Sequence, residues 1–450
     1  MSPVEIISRT LAYPLWDLKD GSRRLKEYGT LANSQWYSED RLAGIQQHRL
    51  ASIVRYAYEH TDFYPRHWGC APIIENLSDL ASLPLVRKTD IRGGGDSLLT
   101  REFPKEQLIA ATTGGSTGVS LSVYFDSQCQ EYRNAAAMRS DSWSGWRPGM
   151  LVAALWGTPP IPRTLKERVR NALHDRLFFL DTMNLNEITM HGFLEEMWRR
   201  KPGGLFGHAH SLFVFSRFID ESGLSAPPMK SVVATSMMLL EPERIVIEKV
   251  FNCAVTNRYG CEEVGLIACE CERHGGLHVN SEHVIVELLR PDGTPAAQGE
   301  EGEVVVTDLI NRGMPLIRYA IEDVAVWSTE PCPCGRGLPS LERVVGRLAD
   351  FLFRRDGSLV AGVSLVEKTL TVIEGIEQLQ IIQEEMDRFS LNVVPTSSFS
   401  DDSRTELENA IHDVFGCDIR LEIHVMDRLP QERNSKYRFA ICKVDRAGHI

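Results

Sequence analysis

From about residue 108 onward, short apolar runs such as LIAAT, MLVAALW and SVVATS alternate with amphipathic stretches such as NEITMHGFLEEMWRR and LEPERIVIEKVF. Short apolar runs suit strands, and apolar residues at three- and four-residue spacing suit helices, so the alternation predicts an α/β core. Between Leu277 and Trp327 the pattern changes. HVIVELL, a PDG turn, GEVVVTDL and LIRYAIEDVAVW follow one another with little helix between them, which predicts a β-rich subdomain. Ahead of the core, the segment from Ser38 to Trp68, with QQHRLASIVRYAYEHTDFY, reads as a helical lead-in. Behind it, after VVGRLADFLFRRDGS, strand-like and helix-like runs alternate again (LQIIQ, FSLNVV, RTELENAIHDVF, RLEIHVM), enough for a small α+β domain. The expected division is 1–346 for a large N-terminal domain of packed sheets and helices and 347–450 for the C-terminal one.

With 450 residues, 43% of them hydrophobic and 24% charged, the chain can bury a sizeable core. A formal net charge of -12 and no long Lys/Arg run argue against nucleic acid or an anionic membrane as the main partner. The opening MSPVEIISRTLAYPLWDLKDG has no basic head followed by an apolar run, and no later stretch reaches the ~18 apolar residues of a membrane span. A soluble, cytoplasmic protein is therefore expected. In that setting the ten cysteines read as reduced thiols or metal ligands.

Four stretches carry candidate chemistry. Thr112 to Gly118 are all glycine or hydroxyl residues, between strand-like QLIAA and LSVYF. No lysine follows Gly118, so this is not the common phosphate loop before a helix; it is either a flexible turn or a nest of N–H groups and hydroxyls for an anion. VTNRYGCEEVGLIA ends a strand in Glu262 and Glu263, a carboxylate for Mg2+ or a solvated turn. In MPLIRYAIEDVAVW, Asp323 ends an alternating strand, either to accept from a sugar diol or as a turn residue. In RLPQERNSKYRFAICK, Lys436 follows a polar loop, and alone it reads as a surface lysine.

Taken in order, TTGGSTG, RYGCEE, LIRYAIED, VVGRLAD and NSKYR resemble the core motifs of the adenylate-forming superfamily, the acyl-CoA synthetases and their relatives. RLASIVRYAYEHTDFYPRHW, LSDLASLPLVRKTDIR and LQIIQEE are similar to its phenylacetate-CoA ligase branch, especially the capsule-biosynthesis type. The resemblance implies ATP-dependent activation of a carboxylic acid as an acyl-adenylate, with transfer to CoA, a carrier-protein thiol or an amine. It implies that Thr112, Thr113, Gly114, Gly115, Ser116, Thr117 and Gly118 wrap the ATP phosphates. Tyr259 and Gly260 would belong to the nucleotide site, Glu263 would bind Mg2+, Asp323 would hold the ribose with Arg347 nearby, and Lys436 on a mobile C-terminal domain would bridge the carboxylate and the α-phosphate. Lys436, Glu263 and Thr113 are the catalytic candidates. Departures are Ala349 at the hinge position, Glu262 before the metal-binding acid, RRDGSLVAGVS, and TSMMLL where an acid-containing loop is usual.

The acid pocket of the superfamily would be lined here by Trp156, His208, His210, Thr235, Ser236 and Met237; of the two histidines, one also reads as a satisfied turn residue. CECERHGGLH and PCPCGRG flank the β-rich region. Cys271, His274, Cys332 and Cys334 form a four-ligand set suited to structural Zn2+, with Cys269 or His278 able to replace one of them; the branch resemblance supports zinc. The expected partners are a small carboxylic acid, CoA or another acceptor, and a second copy in a homodimer. Two other classes stand beside the ligase: a nucleotidyltransferase whose product is the adenylylated compound, like the synthetases that adenylylate a deazaflavin, and a nonenzymatic nucleotide-binding relative.

Overall fold

The computed structural model of the chain describes residues 2–112, 121–157, 162–347, 350–356, 359–430 and 438–444. The predicted lead-in is the helix Glu39–His60, started by Ser38, whose side chain accepts from the Arg41 N–H. Leu50, Ile53, Val54 and Ala57 make its buried stripe. A second short helix, Phe63–Trp68, closes the segment.

β1 (Ile109–Thr112) and β2 (Ser122–Phe125) pair as an antiparallel hairpin, with Thr112 opposite Ser122. An eleven-stranded sheet then forms the body of the protein. β3 (Val152–Trp156), β4 (Leu177–Asp181), β5 (Gly204–His208), β6 (Ser231–Thr235) and β7 (Val255–Cys261) run parallel in the order β4-β3-β5-β6-β7. Parallel neighbours need crossovers. The amphipathic stretches supply them as the helices Glu187–Arg200, Ala209–Glu221 and Glu241–Phe251. One face of the parallel strands, with Leu155, Phe178, Leu205 and Val232, is sealed by Phe193, Leu212, Phe215 and Ile247 of these helices.

Beyond β7 the strand pairings of this sheet are antiparallel. β8 (Gly265–Glu270), β9 (Leu277–Val279), β10 (Val284–Leu289), β11 (Glu301–Asp308), β12 (Tyr319–Trp327) and β13 (Ser340–Arg347) continue the sheet in the order β8-β9-β13-β12-β11-β10. The β-rich region is thus an extension of the core sheet and not a separate body, because β7 is parallel to β6 on one side and antiparallel to β8 on the other. Asp323 does not end its strand as the sequence pattern implied; it lies in the middle of β12, after Glu322 at φ 67° and before a register shift at Val324.

A small ladder of β14 (Phe351–Phe353) and β15 (Leu359–Ala361) leads into the C-terminal α+β domain. There β16 (Ile376–Glu385), β17 (Arg388–Pro395), β18 (Arg420–Val425) and β19 (Ala440–Cys442) form a four-stranded sheet in the order β18-β17-β16-β19. Leu379, Ile381, Phe389 and Leu391 pack with Leu407 and Ile411 of the helix Asp401–Phe415, and Leu240 of the large domain joins this cluster.

A buried charge network fixes the helix Ser127–Trp143 against the sheet. Arg139, with no exposed surface, reaches Glu282 at 3.1 Å and the carbonyl of Leu31, and Ser34 donates to the same carboxylate. Burial alone would raise the pKa of Glu282, but Arg139 and Ser34 outweigh it and hold the carboxyl below its usual range. Removing one partner of such a pair costs about 3–5 kcal/mol. Among the described residues no helix is long and apolar enough to cross a membrane.

Candidate active site at the end of β7 and a cysteine–histidine cluster

The strand that joins the two halves of the sheet ends in Tyr259 and Gly260, and a cavity of about 140 Å³ opens there. Tyr259 Oη donates to Asp323 Oδ2 at 2.8 Å. Asp323 stands opposite Arg347 in the β12–β13 ladder, with Arg347 Nε 3.8 Å from Asp323 Oδ1. Ser236 and Met237 complete the same wall, and Ser236 adopts φ 65°, which turns the chain sharply after β6. Gly260 has a packing reason to be glycine. A Cβ there would meet the Gly265 carbonyl oxygen at 2.4 Å, across the tight β7–β8 hairpin.

Glu263, 6% exposed, sits in that hairpin turn and accepts from Tyr319 Oη at 3.0 Å. A carboxylate fixed by a hydroxyl is a hard oxygen donor suited to Mg2+. Burial raises the pKa of Asp323, opposed by Arg347, Tyr259 and Lys88 and reinforced by Glu263. Burial, with Asp323 beside it, pushes the Tyr259 hydroxyl well up, so it stays protonated and remains a donor.

Sequence reasoning did not assign Asn257, Arg258, Asp350, Arg438 or Phe439, all of which line this cavity. Asp350 follows β13 and Arg438 lies just before β19, and they pair at 2.6 Å. Their signal was present: Asp350 follows Ala349, and Arg438 comes two places after Lys436. Of the phosphate-loop candidates, Thr112 is the last residue of β1; Thr113, Gly114, Gly115, Ser116, Thr117 and Gly118 lie outside the described residues, as do Lys436 and Ala349.

The expected acid-pocket residues divide. Trp156 at the end of β3 stacks on Phe206 at 5.6 Å and leans on His208 at 4.4 Å, so these two candidates meet at the C-terminal ends of the parallel strands. Thr235 ends β6 beside them in the same sheet, paired with His208. His210 is elsewhere. In the first turn of its helix, it is buried with Nδ1 2.5 Å from Glu243 Oε1, and its ring lies 5.2 Å from that of Phe439. It joins two helices to the C-terminal domain.

The cysteines of the β-rich region converge. Cys271, His278, Cys332 and Cys334 place one ligand atom each within 4.8 Å of one another. Cys271 Sγ is 3.6 Å from Cys332 Sγ, and Cys334 Sγ is 3.3 Å from His278 Nε2. The histidine of this group is His278, not His274. His274 turns back at φ 50°, and its Nδ1 lies 3.1 Å from Glu270 Oε2. His278 Nδ1 lies 3.0 Å from the Leu338 carbonyl, which sets Nδ1 as the protonated nitrogen and leaves Nε2 as a lone-pair donor toward the thiols. Three thiols and one imidazole at these separations match a closed tetrahedral zinc set.

The CapK C-terminal domain family matches residues 352–443. Over 420 residues the chain is 25% identical to Protein CapK of Staphylococcus aureus, covering 89% of each chain. Along most of its length the chain is thus similar to the CapK-like, phenylacetate-CoA ligase branch of the adenylate-forming ligases. It is also 25% identical over 375 residues to a phenylacetate-coenzyme A ligase of Thermus thermophilus, covering 76% of this chain and 78% of that one. Among solved structures, a 2-hydroxyisobutyryl-CoA ligase in the postadenylation state superposes with TM-score 0.73 at 19% identity, with 92% of each chain covered. The same ligase in its thioesterification state gives 0.59 at 20% identity, covering 94% of this chain and 92% of that one.

Proposed function

We propose that the protein is an ATP-dependent ligase that joins a carboxylic acid to AMP, releases pyrophosphate, and passes the acyl group to CoA, a carrier thiol or an amine. The observation that carries this reading is the convergence of Tyr259, Asp323 and Arg347 on one cavity that Arg438 of the C-terminal domain also lines, with Glu263 held by Tyr319 in the turn that follows β7. Attack of a carboxylate oxygen on the α-phosphorus forms a P–O bond, breaks the bond to pyrophosphate and crowds anions together, so the site must supply cations and aligned donors. In this assignment Asp323 accepts from the ribose hydroxyls, and Tyr259 offers its ring to the base while fixing Asp323. Glu263 binds the Mg2+ that accompanies the triphosphate. Thr112 to Gly118 line the phosphates, and Lys436 bridges the carboxylate and the α-phosphate. Trp156, His208, Thr235, Ser236 and Met237 surround the reacting end of the acid. The higher superposition with the postadenylation state supports reading the present domain arrangement as the adenylation one.

Cys271, His278, Cys332 and Cys334 are proposed to hold a structural zinc that ties the loop before β13 to β8 and β9. Ala349 at the hinge position favours a second reading, in which the adenylylated compound is itself the product. ATP–pyrophosphate exchange over a panel of acids, with mass spectrometry of products in the presence and absence of CoA, tests both. Acid-dependent exchange and a CoA thioester are the expected results; a stable AMP adduct unchanged by CoA moves the conclusion to the second reading. Absence of exchange with every acid overturns the proposal.

A further inference from the structure

The helix from Pro3 to Asp20, which runs through one π turn at Ser8–Ala12, lies inside out on the large domain. Its polar side chains face the body. Glu5 Oε1 lies 3.3 Å from Arg147 Nε, Asp17 Oδ1 lies 2.5 Å from Arg24 Nη2, and Tyr13 stacks on the buried His174 with ring centres 4.1 Å apart. Gly149 lets the helix come close, since a Cβ there would meet the Glu5 carbonyl oxygen at 2.9 Å. The apolar side chains face outward. Val4, Ile7, Leu11, Leu15 and Leu18 recur at three- and four-residue spacing on one face, with exposure rising from 43% at Val4 to 78% at Leu18. Polar contacts thus fix the helix, and the stripe that a surface helix ordinarily buries is left outside.

The surroundings of this stripe are basic. The segment RTLKERVRNALHDR, Arg163 to Arg176, packs against the helix through His174 and carries five Arg or Lys against two acids. Both acids are engaged: Glu167 accepts from the N–H groups of Arg163 and Thr164, and Asp175 faces Arg170 at 3.2 Å. Lys166 and Arg168 stand exposed, and Leu165 and Val169, four residues apart, add two more exposed apolar side chains. At its start the helix also borders a groove of about 630 Å³ lined by Arg176, Arg200, Lys201 and Lys230, with the exposed Trp198 beside them. Glu5, the one acid among the described residues of that groove, already faces Arg147. The net charge of -12 belongs to the whole chain; salt screens charges beyond about 10 Å, so a flat partner meets the local sign.

We propose that this face docks the protein on an anionic phospholipid bilayer, with the apolar stripe at the boundary of headgroups and acyl chains and the basic segment and groove against the lipid phosphates. An exposed apolar stripe with cations beside it, on a helix that cannot span, is the pattern of a helix lying in the membrane plane. Trp198, an apolar body with a polar edge, is of the type enriched at that depth. A second copy of the chain fits this face less well, because about a two-fold axis the same basic segment would meet itself. Lipid phosphates supply the opposite charge. The docking needs neither ATP nor an acid, so it is independent of the ligase reading; it would hold the reaction at a membrane surface.

Flotation of the full chain with phosphatidylcholine vesicles, with and without about one-third phosphatidylglycerol, tests the docking in the absence of ATP. The protein should float with the anionic vesicles, stay unbound with the neutral ones, and come off as salt is raised. Leu11→Glu combined with Leu15→Glu should lower the partition coefficient by about tenfold or more at an unchanged melting temperature. Lys166→Glu combined with Arg168→Glu, on an exposed helix that tolerates the change, should lower it by about tenfold and serves equally if the leucine variant does not fold. No binding to anionic vesicles, or binding that survives the substitutions in a folded variant, overturns the proposal. A dimer in sedimentation that the leucine variant turns into a monomer, without vesicle binding by the wild type, gives the face to a second copy and overturns it as well.

Discussion

β13 starts at Ser340, opposite His278 of β9, and finishes at Arg347, opposite Asp323 of β12. At about 3.3 Å per residue its two ends stand roughly 23 Å apart. At the first end three thiols and an imidazole converge, their ligand atoms within 4.8 Å of one another. At the second, a hydroxyl, a carboxylate and a guanidinium surround a cavity. Soft donors closed on themselves serve stability; hard donors facing a space serve chemistry. One strand thus carries the proposed clamp and the proposed site.

That contrast is best broken by changes that should move one end and spare the other. The largest effect is expected from Lys436→Ala, which should lower ATP–pyrophosphate exchange by about 10²–10³-fold with no change in melting temperature; undiminished exchange refutes the role given to this lysine. Glu263→Gln should follow at about 10²-fold, partly rescued by higher Mg2+. At the clamp end the readouts reverse. Elemental analysis should find about one zinc per chain, and chelation or Cys332→Ser should lower the melting temperature by several degrees, about 5 °C, while exchange per folded molecule in the cold is kept. A metal-free protein that melts where the purified form does removes zinc from the comparison.

Smaller effects sharpen the site end. Asp323→Asn should raise the KM for ATP about tenfold with kcat little altered, as expected when a ground-state hydrogen bond is lost. Burial raises the pKa of Asp323, against Arg347, Tyr259 and Lys88 and with Glu263. Only the ionised carboxylate accepts from both ribose hydroxyls, so ATP affinity should weaken as pH falls through a value above the usual aspartate range. The Asn variant should lose that acid limb. For stability the sign is opposite: the folded state holds this proton more tightly than the unfolded chain, so the residue's contribution declines as pH rises through the same window. Arg347→Lys, which keeps the charge and loses the planar fork, should change the KM for ATP by only about two- to threefold.

Much of this architecture is legible in local pattern. The three-four spacing in the lead-in became the helix Glu39–His60, and NEITMHGFLEEMWRR became Glu187–Arg200, capped by Asn186. The short apolar runs became β3 and β6, and HVIVELL became β10. These readings work because burial of one face repeats at the period of the element itself. Asp323 was harder to place. Alternation identified its strand but not the register shift at Val324 or the left-handed Glu322 that interrupt it. His210, expected beside His208, is placed differently for a related reason: its spacing from His208 is two, which on entering a helix turns the side chains apart, and Glu243, far along the chain, pairs with it.

The sequence by itself determined which residue types the protein has for its chemistry: a tyrosine–glycine turn with an acid three residues on, an aspartate in a strand, and two cysteine pairs around a β-rich region. Each is a short-range pattern set by backbone geometry and side-chain chemistry. Only the tertiary structure decided which of them meet. Cys-x-x-His places Cys271 and His274 close in the chain, yet His278 is the histidine that joins the thiols, because pairing of β9 with β13 brings it beside the loop that carries Cys332 and Cys334. Likewise Tyr259 reaches Asp323 across 64 positions only because β7 and β12 lie in one sheet whose order departs from that of the chain. Strand order is fixed by the burial of whole faces and the pairing of whole ladders, and no window of local sequence contains that sum.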